Sequence, residues 1–265
     1  MRADQLLVER GMAASRSQAV RLIAGGLRWR DAGTTDAWRN VVKNRDDLPE
    51  TAELELLDAA ESRYVSRGGL KLESALRVAG LKPSGKRCLD VGQSTGGFTD
   101  CLLQHGALHV TGIDVGHGQL HARLRGDERV TAIEKVNARA LTATDLMPDD
   151  ADDGALSEPP PEPSFDIIVG DLSFISQTLV LPAVVQFLTP AGDLLMLVKP
   201  QFELQPGQVG KGGIVRDPAL FAVVEQRLRE ACAALSLRVV NWFDSPIEGG
   251  DGNHEFFLHA VRAER

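Results

Sequence analysis

The chain has 265 residues, 29 basic against 37 acidic, a formal net charge of −8, and 43% hydrophobic against 25% charged side chains. Those proportions are ordinary for a globular chain, and the length suffices for one large domain plus a small one. The longest apolar region, residues 165–188, is broken by Asp166, Asp171, Gln177, Pro182 and Gln186, which excludes an unaided bilayer crossing, and with charges in the start MRADQLLVERG no export signal is expected there.

The first sixty residues read as a separate unit. Helical spacing over 3–10 turns Leu6 and Leu7 inward and stops at Gly11. Ser15 caps a second helix over 16–24, which Gly25 and Gly26 end. Its buried side is expected to hold Ala19, Val20, Leu22 and Ile23, leaving Arg16, Gln18 and Arg21 to solvent. Short strands are expected at 27–30, 41–43 and 53–57. This is enough for a binding module. Residues 1–30 hold six arginines against Asp4 and Glu9, and residues 61–87 hold seven bases against Glu61 and Glu73. Positive field therefore gathers here despite the net acidity, which keeps a polyanionic partner in view.

From residue 67 the pattern alternates. Strands are expected at 87–91, 109–114, 130–134, 165–170, 193–199, 237–243 and 255–261, with helices at 70–79, 98–104, 119–124, 176–187 and 218–234. Such alternation implies a mostly parallel sheet covered on both faces, its last two strands closing one edge in antiparallel fashion. Residues 145–163 carry seven acids, five prolines and no base, and read as a solvated insertion. Cys88, Cys101 and Cys232 lack metal-ligand spacing, so reduced, buried thiols in a cytoplasmic protein are expected.

In CLDVGQSTGGFTDCLL a buried strand runs into a glycine-rich turn and a helix. The spacing Gly92-x-x-x-Gly96-Gly97 matches neither the dinucleotide fingerprint nor the P-loop. Ligands of doubly wound sheets sit beyond such turns. Asp90, at the strand's end, suits a cationic ligand better than a pyrophosphate. The next strand ends at Asp114 and Val115, where an acid accepts hydrogen bonds from ribose hydroxyls. The third leads to Asn137, placed to meet an adenine edge. The candidate contacts are Asp90, Gly92, Gln93, Ser94, Thr95, Gly96, Gly97, Phe98, Thr99, Asp114, Val115, Asn137 and Asp171. They favour S-adenosylmethionine over NAD or ATP. A purely structural turn is the plain alternative.

Further charges fall where strands of this sheet should end or begin: Asp171 in IIVGDLSF, Lys199 in LLMLVKPQFE and Glu255 in GNHEFFL. A lysine after five apolar residues is costly unless paired, although a snorkelling ammonium would also satisfy it. With Lys71 of VSRGGLKLESAL they make an alternating cluster. Positive charge favours the alkoxide of a ribose hydroxyl, and a lysine beside another cation can accept a proton. In-line transfer from a sulfonium depends mainly on alignment and needs no metal. The six histidines form no ligand triad.

Taken in order, these segments resemble the TlyA family of ribosomal RNA 2′-O-methyltransferases, whose catalytic domain is similar to the FtsJ heat-shock RNA methyltransferases. The resemblance covers nearly the whole chain. It rests on SRGGLKLESAL (66–76), LDVGQSTGGFTDCLL (89–103), GIDVG (112–116), VGDLSFIS (169–176), LVKPQFE (197–203), VGKGGIVRD (209–217) and SPIEGGDGNHEFF (245–257). It implies a Rossmann-like α/β methyltransferase sheet at 67–265, a linker at 61–66, and a small α+β RNA-binding domain at 1–60 similar to that of ribosomal protein S-four. RSQAVRLIAGG fits that small domain best, whereas WRDAGTTDAWRNVVKN replaces its usual shorter turn.

By matching motifs, the family's Lys-Asp-Lys-Glu tetrad falls on Lys71, Asp171, Lys199 and Glu255. Phosphate contacts are expected from Arg16, Arg21, Arg63 and Arg67, and from Lys211 and Arg216 in a loop at 207–216 suited to cover bound RNA. The implied cofactor is S-adenosylmethionine, and the implied partner is ribosomal RNA or a ribosomal subunit, with cytidine as target and neither metal nor membrane. The insertion at 145–163 is expected to face away from RNA. The start almost at the first helix leans towards the large subunit.

Two other classes compete. The family has also been labelled hemolysin, but a membrane-active protein needs an apolar helix or a basic amphipathic segment, and the sequence presents neither. An RNA-binding assembly factor without a catalytic step is the third reading.

Overall fold

The computed structural model describes residues 1–13, 15–56, 63–147, 162–247 and 252–263, and its contacts fall into two units, Met1–Leu70 and Lys71–Arg265. In the first, α1 (Ala3–Glu9) packs on α2 (Arg16–Ala24), while β1 (Leu27–Arg30) pairs antiparallel with both β2 (Arg39–Asn40) and β3 (Glu53–Leu56). Ser15 Oγ accepts from the Gln18 backbone N–H at 3.3 Å, starting α2 as expected. Leu6, Leu7, Ala19, Leu22, Ile23 and Leu27 share one core.

Two assignments on α2 need correction: Val20 is exposed and Gln18 buried. At 100° per residue, positions 18, 19, 22 and 23 span one arc, and 20 falls outside it. The strand expected at 41–43 lies at 39–40 instead. Val41 N–H donates to Leu27 O at 2.8 Å, and its side chain turns into the core. Residues 57–62, including the start of the expected linker, lie outside the described residues.

After α3 (Gly68–Ala79), whose Leu72, Ala75 and Leu76 are buried, the elements run β4 (Arg87–Val91), α4 (Gly97–Gln104), β5 (His109–Asp114), α5 (Ala122–Arg125), β6 (Val130–Glu134), β7 (Phe165–Asp171), α6 (Gln177–Val184), β8 (Leu188–Val198), α7 (Pro200–Glu203), α8 (Pro218–Ala234), β9 (Leu237–Asp244) and β10 (Phe256–Arg262). They form a Rossmann-like seven-stranded sheet in the order β6-β5-β4-β7-β8-β10-β9. Only β10 opposes its neighbours. The last two strands thus close one edge in antiparallel fashion as expected, through the reversed β10 and with β9 outermost.

Period two sets the faces. Ile168, Leu194, Met196, Val198 and Leu258 meet Val180, Leu181, Val224 and Leu228 of α6 and α8 in one core. The intervening Ile167, Leu195, Leu197 and Phe257 are buried as well. Chain order reverses between β4 and β7, the switch point where such sheets bind ligands. Cys88, Cys101 and Cys232 are buried thiols outside any disulfide, and burial pushes the Cys88 thiol up to about 12 and Cys232 to about 11. Residues 148–161, most of the acidic insertion, lie outside the described residues. Among the described residues no helix is long and apolar enough to cross a membrane.

Candidate active site at the rim of the sheet

The parallel strands β4, β5, β7 and β8 all end on one rim, and the reversed β10 begins there. In register Phe256 pairs with Val198 and Asp171 with Leu197, which brings Glu255 and Asp171 to either side of Lys199. Lys199 Nζ lies 2.5 Å from Asp171 Oδ1 and donates to Ser173 Oγ at 2.9 Å. Lys71 Nζ donates to Glu255 Oε2 across 184 residues of chain. Glu255 is 3% exposed. Burial pushes its carboxyl above the usual range, Lys71 and then Lys199 pull it back, and Asp171 raises it. The other three side chains thus all act on the Glu255 carboxylate. Buried pairs of this kind are poor stabilisers because desolvation offsets most of their attraction.

The glycine turn follows β4. Gly92 has φ +85°, and a Cβ there would stand 2.8 Å from the Asp171 carbonyl oxygen, so glycine lets the turn approach the end of β7. Behind the turn, Thr99 Oγ1 donates to Asp90 Oδ2 at 2.7 Å and accepts from Gln93 Nε2 at 2.9 Å. Burial first, then the charges of Asp171 and Asp114, push the Asp90 carboxyl up to about 7. The Thr99 bonds oppose that rise.

A cleft of about 540 Å³ opens beside the turn, lined by Gly92, Ser94, Asp114, Val115, Asn137, Asp171 and the segment 172–175. Asp114 Oδ2 accepts from the Ser94 N–H and Oδ1 from the Gly116 N–H, both at 2.7 Å. Val115 is 75% exposed. Asn137 Oδ1 caps Arg139 N–H, which turns the amide nitrogen to another use. A second cleft of about 350 Å³ holds Lys199, Glu255, Gln201, Phe202, Gly212 and Gly213, and shares Ser173 and Phe174 with the first.

The expected cofactor contacts thus divide. Gly92, Ser94, Asp114, Val115, Asn137 and Asp171 line the cleft. Asp90, Gln93 and Thr99 form the buried network behind it, Gly96 and Gly97 open α4, Phe98 stacks on Phe257 at 6.4 Å, and Thr95 O accepts from His121 N–H at 3.2 Å. These seven shape the turn without lining the cleft.

Sequence reasoning missed Gln119, Ser173 and Phe174. Gln119 lines the first cleft and accepts from Ser94 Oγ at 3.2 Å. Phe174 is 91% exposed, sits at φ +66° and packs on Phe202 at 5.1 Å. The available signal was an aromatic three residues after the strand-end Asp171.

Of the expected phosphate contacts, Arg16 donates to the buried Asp4 at 3.2 Å, so it is not simply solvated. The Arg21 side chain lies outside what is described. Arg63, Lys211 and Arg216 are exposed, and Arg67 is half-buried. The loop at 207–216 is tethered: Asn253 Oδ1 accepts from Val215 N–H at 3.0 Å, and its Nδ2 donates to Gly213 O at 2.9 Å. Among the described residues no group of histidine, cysteine or acidic side chains could hold a metal.

Residues 64–262 match the FtsJ-like methyltransferase family. The chain is 42% identical over 257 residues to the 16S/23S rRNA (cytidine-2′-O)-methyltransferase TlyA of Mycobacterium tuberculosis, covering 97% of this chain and 88% of that one. It is 36% identical to Hemolysin A of Brachyspira hyodysenteriae, over 98% of this chain and 100% of that one. A solved hemolysin candidate from Streptococcus thermophilus is similar with a TM-score of 0.72 at 35% identity, over 100% of this chain and 89% of that one. With its switch-point cleft and matching segments across the sheet, the chain belongs to the FtsJ-like methyltransferase family, in the group that includes TlyA and Hemolysin A.

Proposed function

We propose that the protein transfers a methyl group from S-adenosylmethionine to a ribose 2′-hydroxyl of ribosomal RNA, with cytidine as the target nucleoside. One observation carries the reading: two lysine–carboxylate pairs meet where a nucleoside-sized cleft adjoins a second cleft open to a substrate. A volume of about 540 Å³ lies within the range of small-molecule sites.

The residues present fit the cofactor. Asp114 would accept from its ribose hydroxyls, Val115 would cover the base, Asn137 Nδ2 would meet an acceptor on the adenine edge, and the glycine turn would let the methionine portion approach the strand ends. When bound, S-adenosylmethionine supplies an electrophilic methyl on a sulfonium. Lys199 borders the second cleft beside Asp171, which lines the first, and as the neutral amine is the group to take the proton of the hydroxyl. Lys71, fixed by Glu255, is the positive charge that stabilises the developing alkoxide. Asp171 and Ser173 orient Lys199, and Phe174 offers its exposed ring to the base of the target nucleotide. Alignment supplies most of the acceleration.

The cytidine rests on the name of the TlyA relative. The Met1–Leu70 unit, read as an S-four-type module, is the part assigned to RNA binding; of its six arginines within residues 1–30, Arg2 and Arg16 share Asp4, Arg28 pairs with Glu55 and Arg30 with Glu53. The test is methyl transfer to ribosomal RNA followed by mapping of alkali-resistant linkages. The reading expects a mark on a cytidine ribose; methylation of a base instead would refute it.

A further inference from the structure

Glu203 stands outside the groups used so far. It closes the LVKPQFE segment at the end of α7 and is 2% exposed. A buried carboxylate is costly unless donors surround it. Here both oxygens accept: Ser176 Oγ donates to Oε2 at 2.5 Å, and the Gln177 backbone N–H donates to Oε1 at 2.7 Å. Gln177 returns the link, its Nε2 donating to Leu197 O at 2.6 Å, two residues before Lys199. Arg227 on α8 donates to the Glu203 carbonyl and ties α7 down. Burial pushes the carboxyl above its ordinary range, while the bonds from Gln177 and Ser176 and the charge of Arg227 draw it back.

Ser176 and Gln177 end the turn that begins at Asp171. That turn carries Ser173, the acceptor for Lys199, and Phe174 in the left-handed region. A phenylalanine holds that backbone only where its surroundings fix it. One end of the turn is anchored by the pairing of Asp171 with Leu197. Glu203 anchors the other.

We propose that Glu203 is a positioning residue for methyl transfer, holding the 171–176 turn so that Asp171 and Ser173 meet Lys199; this rests on the function proposed above. It acts through Ser176 and Gln177, each of which donates to one of its oxygens. The requirement is reach and acceptor geometry, not charge. A glutamine of equal length can accept from Gln177 N–H and turn its amide to Ser176 Oγ. Aspartate falls one methylene short, and alanine leaves two donors unmet.

The experiment compares wild type with Glu203→Ala, Glu203→Asp and Glu203→Gln in single-turnover transfer to ribosomal RNA, well below each variant's melting temperature. The expected result is a rate about 10- to 100-fold lower for alanine and aspartate, with glutamine recovering most of it. Rates within threefold of wild type for folded Glu203→Ala, or a glutamine variant as slow as alanine, would overturn the proposal. Amide exchange over residues 172–176 provides a readout independent of catalysis. It should accelerate in Glu203→Ala while β4 and β5 stay protected, and unchanged exchange would overturn the clamp even if wild type transfers no methyl group. Loss of wild-type transfer with accelerated exchange would instead retire the proposed function and leave the clamp standing.

Discussion

Two regions of this molecule use the same ion-pair chemistry at different depths. On the small sheet of the Met1–Leu70 unit, Arg28 pairs with Glu55 and Arg30 with Glu53, all with side chains 30–42% exposed, and both guanidinium groups lie over Trp38 at 5.1 and 4.6 Å. At the rim of the large sheet, Lys71 pairs with Glu255 and Lys199 with Asp171, with side chains 3–27% exposed. Exposed pairs cost little to form and contribute little. Buried ones are expensive and are weak evidence for stability. The difference separates a surface that keeps its shape cheaply from a site whose charges are held out of water for use.

The largest effect expected from this contrast is on Lys199. Lys199→Ala should lower the methyl-transfer rate by about 10²–10⁴-fold, with S-adenosylmethionine affinity within a few-fold of wild type by calorimetry. A rate loss below tenfold would erase the distinction between the two regions.

Asp90 tests burial without a cation at its carboxylate. Its folded carboxyl sits at about 7 against an ordinary 3.8. The native state therefore keeps a proton that the unfolded chain has lost, and stability falls as pH rises from about 4 to about 7. Asp90→Asn has no such loss, so its melting temperature should exceed that of wild type by more at pH 8 than at pH 5. The offset should grow by about 3 kcal/mol between pH 5 and pH 8. An equal offset at both values would mean the carboxyl is not displaced.

Asp114, whose two oxygens already accept backbone N–H groups, tests the cofactor side. Asp114→Ala should weaken S-adenosylmethionine binding by about 2 kcal/mol, near thirtyfold in Kd. Unaltered binding would move the cofactor out of this cleft. The smallest effect belongs to the exposed sheet: Glu55→Ala should change stability by less than about 1 kcal/mol in denaturant titration. A cost above about 2 kcal/mol would show that the surface pair is not cheap.

Much of the large sheet was legible. The strands at 87–91, 109–114 and 130–134 and the helix at 218–234 match the structure residue for residue, because alternation and helical spacing coincide there with capping and turn residues. β8 begins five residues before its expected start and takes in Pro190 and Gly192, residues that disfavour a strand interior. α5 shrinks to four residues because His121 caps it by accepting from Arg123 N–H at 3.2 Å, and the preceding segment serves the turn after Asp114.

At the site, Lys71, Asp171, Lys199 and Glu255 could be named from strand-end positions and a family resemblance. Their meeting depends on the reversal of β10, which no local pattern encodes. Ser173, Phe174 and Glu203 escaped for the same reason. Their placement is set by tertiary hydrogen bonds that override what the turn residues prefer locally.

The central claim is that the two lysines act as one device, Lys199 as the base and Lys71 as the positive charge. The direct test is single-turnover methyl transfer to ribosomal RNA by Lys71→Ala, Lys199→Ala and the double variant. Residues that work as a unit are non-additive, so the double variant should be within about fivefold of the slower single one. A double variant slowed by the full product of the two single effects would contradict the account.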